Sequence, residues 1–256
     1  YPGTAFPYLS SNLNFATDPN LAPLVVPAGQ APLPNSITES VVFTVDGEQI
    51  GVVGATTPLL KSISSPGTVG VIPLDPNDIA ALAAEIQTSV DQLIAQGIDK
   101  IVMLAHMQQF SIEFQLAQLL SGVDIIVAGG SHSVFADETD VLRPEDVAVS
   151  DYPTLFTGAD GAPVAVVNTG ANYRYVGRLV VEFDDSGLIV PDSIDPDVSG
   201  AYATDAAGVA AVGGEEDIDP EIVAIVDQLE AVIAAQDDIV FGITDEFLNG
   251  LRAGAD

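Results

Sequence analysis

Two short apolar runs, Lys100–Ala105 and Asp124–Ala128, constrain this chain more than any other feature. Each is continuous where a half-exposed strand would alternate, and between them lies a segment of helical length, roughly Ser111–Leu120. Strand, helix, strand with uninterrupted apolar strands is the pattern of a parallel unit buried on both faces. The chain has only two histidines, and both stand just past these runs. His106 follows the first directly, and His132 follows the second after Gly129-Gly130-Ser131. Ligands of open α/β sheets collect at the carboxyl ends of strands, so this placement allows both imidazoles to reach one crevice. Neutral imidazole is also the commonest side-chain metal ligand. The spacing therefore points to half of a metal site. Taken singly, each histidine reads as a polar residue hydrogen-bonded to a neighbouring loop; the matched placement is what raises the shared site.

Two imidazoles do not complete such a site. Catalytic zinc usually takes three protein ligands and water, and the carboxylates nearest in sequence are Glu113, Asp137, Glu138 and Asp140. None has a periodic relation to either histidine. Gly129-Gly130-Ser131 has the outline of a phosphate-cradling loop but no following lysine. No serine occupies a G-x-S-x-G setting, and Ser131 reads as a loop serine bonded to backbone. Asp192, Asp195 and Asp197 are oxygen donors of the kind Ca²⁺ takes, but without the twelve-residue loop pattern they read as a solvated charge run.

Charge narrows the partners. Six Lys and Arg stand against 37 Asp and Glu, a formal charge of −31. Nucleic-acid binding is driven by neutralising phosphates, so no nucleic-acid polymer and no anionic membrane surface is expected. No run approaches the roughly 18–20 apolar residues of a membrane span, so membrane insertion is not expected either. A hydrophobic fraction of 48% and a mean hydropathy of +0.37 call for a sizeable core. The absence of cysteine excludes disulfides and thiolate metal sites. Between Arg178 and Arg252 there are 18 acidic residues and no basic one. Such a surface suits saline surroundings, and an extracellular or periplasmic location is expected.

Along the chain, Val41–Val45 and Gln49–Ala55 flank Asp46-Gly47-Glu48 and read as a hairpin. A helix follows, with Asp75 as cap, Pro76 in its first turn and Gly97 at its end. Its apolar stripe runs Ile79, Leu82, Ile86, Val90, Leu93. Residues 13–40 read as a surface excursion, 136–160 as an acidic loop and 199–214 as a mobile Ala/Gly-rich segment. Val164–Asn168 and Tyr175–Asp184 read as antiparallel strands, with residues 184–187 reversing the chain into Leu188–Val190. A last helix begins at Asp219-Pro220, with a stripe from Ile222 to Ile233. Phe241–Gly250 reads as a strand and turn entering something further, and both chain ends read as cuts from a longer protein.

The residues also carry a resemblance. Asp124–His132 resembles the segment ending G-H-S-H of the 5′-nucleotidase branch of the calcineurin-like metallophosphoesterases. Leu104-Ala105-His106-Met107 is similar to that family's L-S-H-L segment, and Phe6–Leu13 to the strand after its G-N-H motif. Val167–Gly170, Tyr175–Leu179 and Gly242–Gly250 resemble later segments in the same order. The resemblance implies an α/β (α+β) fold, part of a four-layer α-β-β-α sandwich. It implies a metallophosphoesterase domain over 1–240 and the start of a C-terminal nucleotidase domain over 241–256. It further implies a phosphate ester or nucleotide substrate, hydrolysed at a centre of two divalent metal ions (Zn, Mn, Ca or Fe). His106 and His132 match metal ligands of the family. Gly130 falls where the family has the first histidine of G-H-S-H. The family's D-x-H, G-D and G-N-H motifs precede the segment that Phe6–Leu13 matches, so the remaining ligands are expected in N-terminal parts of the same polypeptide, and the nucleobase site in C-terminal parts. The 256 residues alone are accordingly expected to be inactive. The competing expectation is a phosphoesterase-fold module that has lost its metals and serves a structural, adhesive or filament role.

Overall fold

In the computed structural model, which describes residues 3–237 together with Gly242 and Asp245, the expected hairpin and the parallel unit merge into one sheet. The hairpin strands are β1 (Ser40–Val45) and β2 (Glu48–Thr56). Asp46 and Gly47 both take positive φ, 52° and 93°, which is what a two-residue turn matching the strand twist requires. Strands β3 (Ile101–His106) and β4 (Ile125–Val127) follow, then β5 (Thr154–Thr157) and β6 (Pro163–Val167). The order across the sheet is β1-β2-β3-β4-β6-β5, with parallel pairing from β2 to β6 and antiparallel pairing at both edges. A parallel register of Thr56 against His106 and Leu104 against Val127 brings the carboxyl ends of β2, β3 and β4 together.

Helices α1 (Ile79–Ile94) and α2 (Phe110–Leu119) supply the cover on one face. The stripe Leu82, Ile86, Val90 and Leu93 is fully buried against Val53, Ile101, Met103 and Ile126. Each such side chain contributes about 1.5–3 kcal/mol of transfer free energy. Phe110, Phe114, Phe135 and Phe156 close the α2 end with tilted and edge-on ring contacts.

The structure corrects several expectations. Among the described residues the parallel unit is covered by helices on one face only. Along β3, Ile101, Met103 and Ala105 are buried, whereas Leu104 is 45% exposed, as is Val127 of β4 at 40%. The opposite face bears a cleft of about 370 Å³, lined by Val102, Ile125, Val127 and Leu179 among others. The cap of α1 is Asp78, whose carboxylate accepts from the Ala81 amide at 2.9 Å. Asp75 instead accepts from the amide of Asn77, so its carboxylate is spent on a turn before the helix starts. The acidic loop contains β5, and Tyr175–Asp184 is split into β7 (Tyr175–Arg178) and a two-residue strand, Glu182–Phe183, which pairs with Ile189–Val190. The Ala/Gly-rich segment is ordered: β8 (Gly200–Ala203) pairs antiparallel with β7, and α3 (Ala206–Ala211) is capped by Asp205. Small residues lie there because Ala201 and Ala203 are buried against Tyr175 and Ala136. Helix α4 (Pro220–Asp237) starts as expected at Asp219, which accepts from the Glu221 amide. Its stripe is exposed, with Ile222 at 58% and Ile225 at 62%. The reading of Phe241–Gly250 and the boundary at 240 fall almost wholly outside the described residues. Among the described residues no helix is long and apolar enough to cross a membrane.

Candidate functional site at the carboxyl ends of β3 and β4

His106 is the last residue of β3, and its side is set by the pleat. Residues 101, 103 and 105 face the helices, so 102, 104 and 106 face away from them, and His106 is exposed. Beyond the strand ends the pairing continues: the amides of Met107 and Gln108 both donate to the Gly129 carbonyl, at 3.1 and 3.3 Å. The two loops that carry the histidines are thus joined by backbone. The His106 ring lies over Gly129 and Gly130. A Cβ built on Gly130 would stand 2.9 Å from its Nε2 and Cδ2, and one on Gly129 would stand 3.6 Å from its Nδ1. Gly130 has φ +89°, a backbone conformation that side chains rarely adopt, so glycine answers both the close approach and the turn.

His132 lies two residues further on, exposed and itself in the left-handed region at φ +63°. It lines a small cleft of about 150 Å³ with Val134, Gly170, Asn172, Arg174 and Tyr175. Both imidazoles therefore sit at the same end of two neighbouring parallel strands.

Buried polar groups hold this end in place. Asn12, fully buried, receives the Thr56 amide on Oδ1 at 2.8 Å and donates Nδ2 to the Thr56 carbonyl at 2.7 Å. Thr56 is the register partner of His106, and the His106 carbonyl accepts from the Thr57 amide. The Phe6–Leu13 segment thereby meets the site end of the sheet. It reaches there because Gly54 of β2 has no side chain: a Cβ would overlap the Leu9 backbone. On the far side, Asn168 at the end of β6 donates Nδ2 to the Ser131 Oγ at 2.9 Å, and Ser131 also accepts from the Ser133 amide. Ser131 is the bonded loop serine its setting suggested.

The four carboxylates near the histidines separate clearly. Glu113 is wholly buried on α2 and accepts from the amides of Met107 and Gly129. Asp140 binds elsewhere, accepting from the amides of Asp137 and Ala201, and burial raises its pKa first of all. Asp137 is taken up by Thr139, and Glu138 is exposed. Asp195 of the acidic run accepts from the Asp197 amide in a local turn. Among the described residues no group of three or more His, Asp or Glu is placed to hold a metal ion. Exposed imidazoles are suitable donors for a divalent cation, but two of them do not close a site of the three-ligand kind. Asn12 and Asn168 were not singled out in the sequence. Their partners are 44 and 37 residues away, and no local pattern marks such contacts.

Comparison with known proteins bears on what such a site serves. No family model matches the chain. A 5′-nucleotidase of Diplobatis ommata is 35% identical over 187 residues, which is 72% of this chain and 29% of that protein. A 5′-nucleotidase precursor from Thermus thermophilus superposes with a TM-score of 0.59 and 28% identity over 74% of this chain and 35% of that one. The chain belongs to the 5′-nucleotidase family. The NAD nucleotidase of Haemophilus influenzae shares the fold with a TM-score of 0.61 and 25% identity, over 91% of this chain and 46% of that one. The matched part of the chain thus spans about 29% of the length of this curated relative. The mixed sheet with helices on one face is a 5′-nucleotidase fold of the metallophosphoesterase type.

Proposed function

We propose that this chain is the central part of a metal-dependent phosphomonoesterase that hydrolyses 5′-nucleotides. In this reading His106 and His132 are two ligands of a centre of two divalent ions (Zn, Mn, Ca or Fe), completed by residues of N-terminal parts of the same polypeptide. The observation that carries it is the placement of His106 on the last residue of β3 and of His132 in the loop after its parallel neighbour β4, in a chain of this family. When bound, such a pair of ions supplies an activated water and stabilises the charge that develops on the phosphoryl oxygens. The chain's own part is to hold two imidazoles on a backbone fixed by Asn12, Glu113 and Asn168. Residues 1–240 would belong to the phosphoesterase domain and 241–256 to the start of the nucleotide-binding one. The formal net charge of −31 fits an extracellular or periplasmic setting, where dissolved ions screen it.

One observation favours the second reading, a metal-free module with a structural role. Gly130 offers no ligand, and the His106 ring occupies the space in front of it. The two readings separate in one assay. The protein holding this chain together with its flanking segments is incubated with AMP, and phosphate release is followed with and without a chelator. Chelator-sensitive release, restored by adding a divalent ion, is the expected result. No release with Zn²⁺, Mn²⁺, Ca²⁺ or Fe²⁺ would leave the structural module as the account.

A further inference from the structure

Glu113 is an expensive residue. It is 0% exposed, and a buried carboxyl group is costly unless it is well bonded. Its position on α2 offsets part of this cost, since the first turn of a helix favours negative charge. What it does there is specific. Oε1 accepts from the Met107 amide at 3.2 Å and from the Gly129 amide at 3.4 Å. Met107 directly follows His106, and Gly129 opens the loop that carries His132. One oxygen thus grips both histidine-bearing loops at the point where β3 and β4 end. Asn168 grips the same 129–132 loop from the β6 side through Ser131.

We infer that Glu113 is a positioning residue that sets the separation and aim of the two imidazoles, acting through the backbone of Met107 and Gly129. The inference rests on the reading of His106 and His132 as ligands of one centre. It also requires that reach and acceptor geometry matter more than charge. Glutamine keeps the arm length and an acceptor oxygen. Aspartate keeps the charge but withdraws the carboxylate by one methylene, about 1.5 Å, and no longer spans both amides. Leucine keeps the apolar packing and removes the acceptor.

The test compares Glu113→Gln, Glu113→Asp and Glu113→Leu in the intact protein. Three quantities are read: Zn²⁺ affinity by calorimetry, kcat/KM on AMP, and hydrogen exchange of the Met107 and Gly129 amides. Replacing partners that orient metal ligands typically costs 10–100-fold in affinity or activity. Glu113→Asp and Glu113→Leu are expected to lose about that much in both, with faster exchange at both amides. Glu113→Gln is expected to stay within about threefold of wild type. An aspartate variant that matches wild type while the glutamine variant fails would show that charge matters and would overturn the inference. So would a leucine variant with unchanged Zn²⁺ affinity and unchanged exchange. Should leucine prevent folding, the glutamine and aspartate pair still decides. If wild type neither binds Zn²⁺ nor cleaves AMP, the nucleotidase reading falls, while the exchange rates and the imidazole NMR signals of His106 and His132 still report on Glu113. Signals unmoved in Glu113→Asp would then refute the positioning role by itself.

Discussion

Replacing Asp124 by asparagine is expected to leave stability nearly unchanged near pH 4 and to make the protein more stable than wild type by about 4 kcal/mol at pH 8. Asp124 is 4% exposed at the start of β4, at the sheet end opposite the histidines. Burial is the main reason its pKa is raised from 3.8 to about 7, opposed by the hydrogen bond its carboxylate accepts from the Ile101 amide at 2.7 Å and reinforced by Asp160 and Asp99. A carboxyl whose folded-state pKa lies above its unfolded value holds more protons folded than unfolded within that window. Its contribution is therefore fully present below about pH 4 and is lost as pH rises through about 7. At about 1.4 kcal/mol per pKa unit, a rise of about three units gives the figure above. Asparagine keeps an acceptor for the Ile101 amide and carries no charge. Urea titrations of both proteins from pH 4 to pH 8 check this, because the difference between them isolates Asp124 from the other acidic residues. A difference that stays constant over the range would show that Asp124 does not carry the linkage.

The second large effect is expected on activity. His106→Ala in the intact protein should lower kcat/KM on AMP by at least about 10²-fold, beyond the loss that replacing an outer partner of a ligand brings. His132→Ala should act in the same direction. Neither substitution should cost much stability, since both side chains are exposed and substitutions at such places usually stay within about 0.5 kcal/mol. Activity and thermal unfolding measured on the same samples separate the two quantities. A His106→Ala variant with wild-type turnover would remove this residue from the chemistry.

What the sequence could say follows its periodicities. The β3–α2–β4 unit and α1 were legible because continuous apolar runs and a 3.6-residue stripe have few alternative folds. The start of α1 was misplaced because Asp75 and Asp78 flank the same proline, and only the folded chain shows that Asp75 is spent on the Asn77 amide. Gly200–Ala203 read as mobile because small residues carry no periodic signal, yet they are what allows β8 to lie against Tyr175. The exposed second face of β3 and β4 was missed for a different reason. Continuous apolar strands report that both faces are apolar, and Val102, Leu104 and Val127 are apolar on a face the described residues leave half open. At the site the two histidines were legible from their placement. Their supports were not, since Asn12 and Glu113 bond backbone groups, and Asn168 the Ser131 hydroxyl, on segments distant in sequence.

The most direct test of a shared metal centre is a crystal structure of the intact protein grown with Zn²⁺ or Mn²⁺, with the ion located by its anomalous scattering. The expected result is an imidazole nitrogen of His106 and one of His132 each bonded to an ion of the same centre, at about 2.0–2.1 Å for Zn²⁺. An ion bound without either histidine, or neither imidazole near any ion at saturating metal, would contradict it.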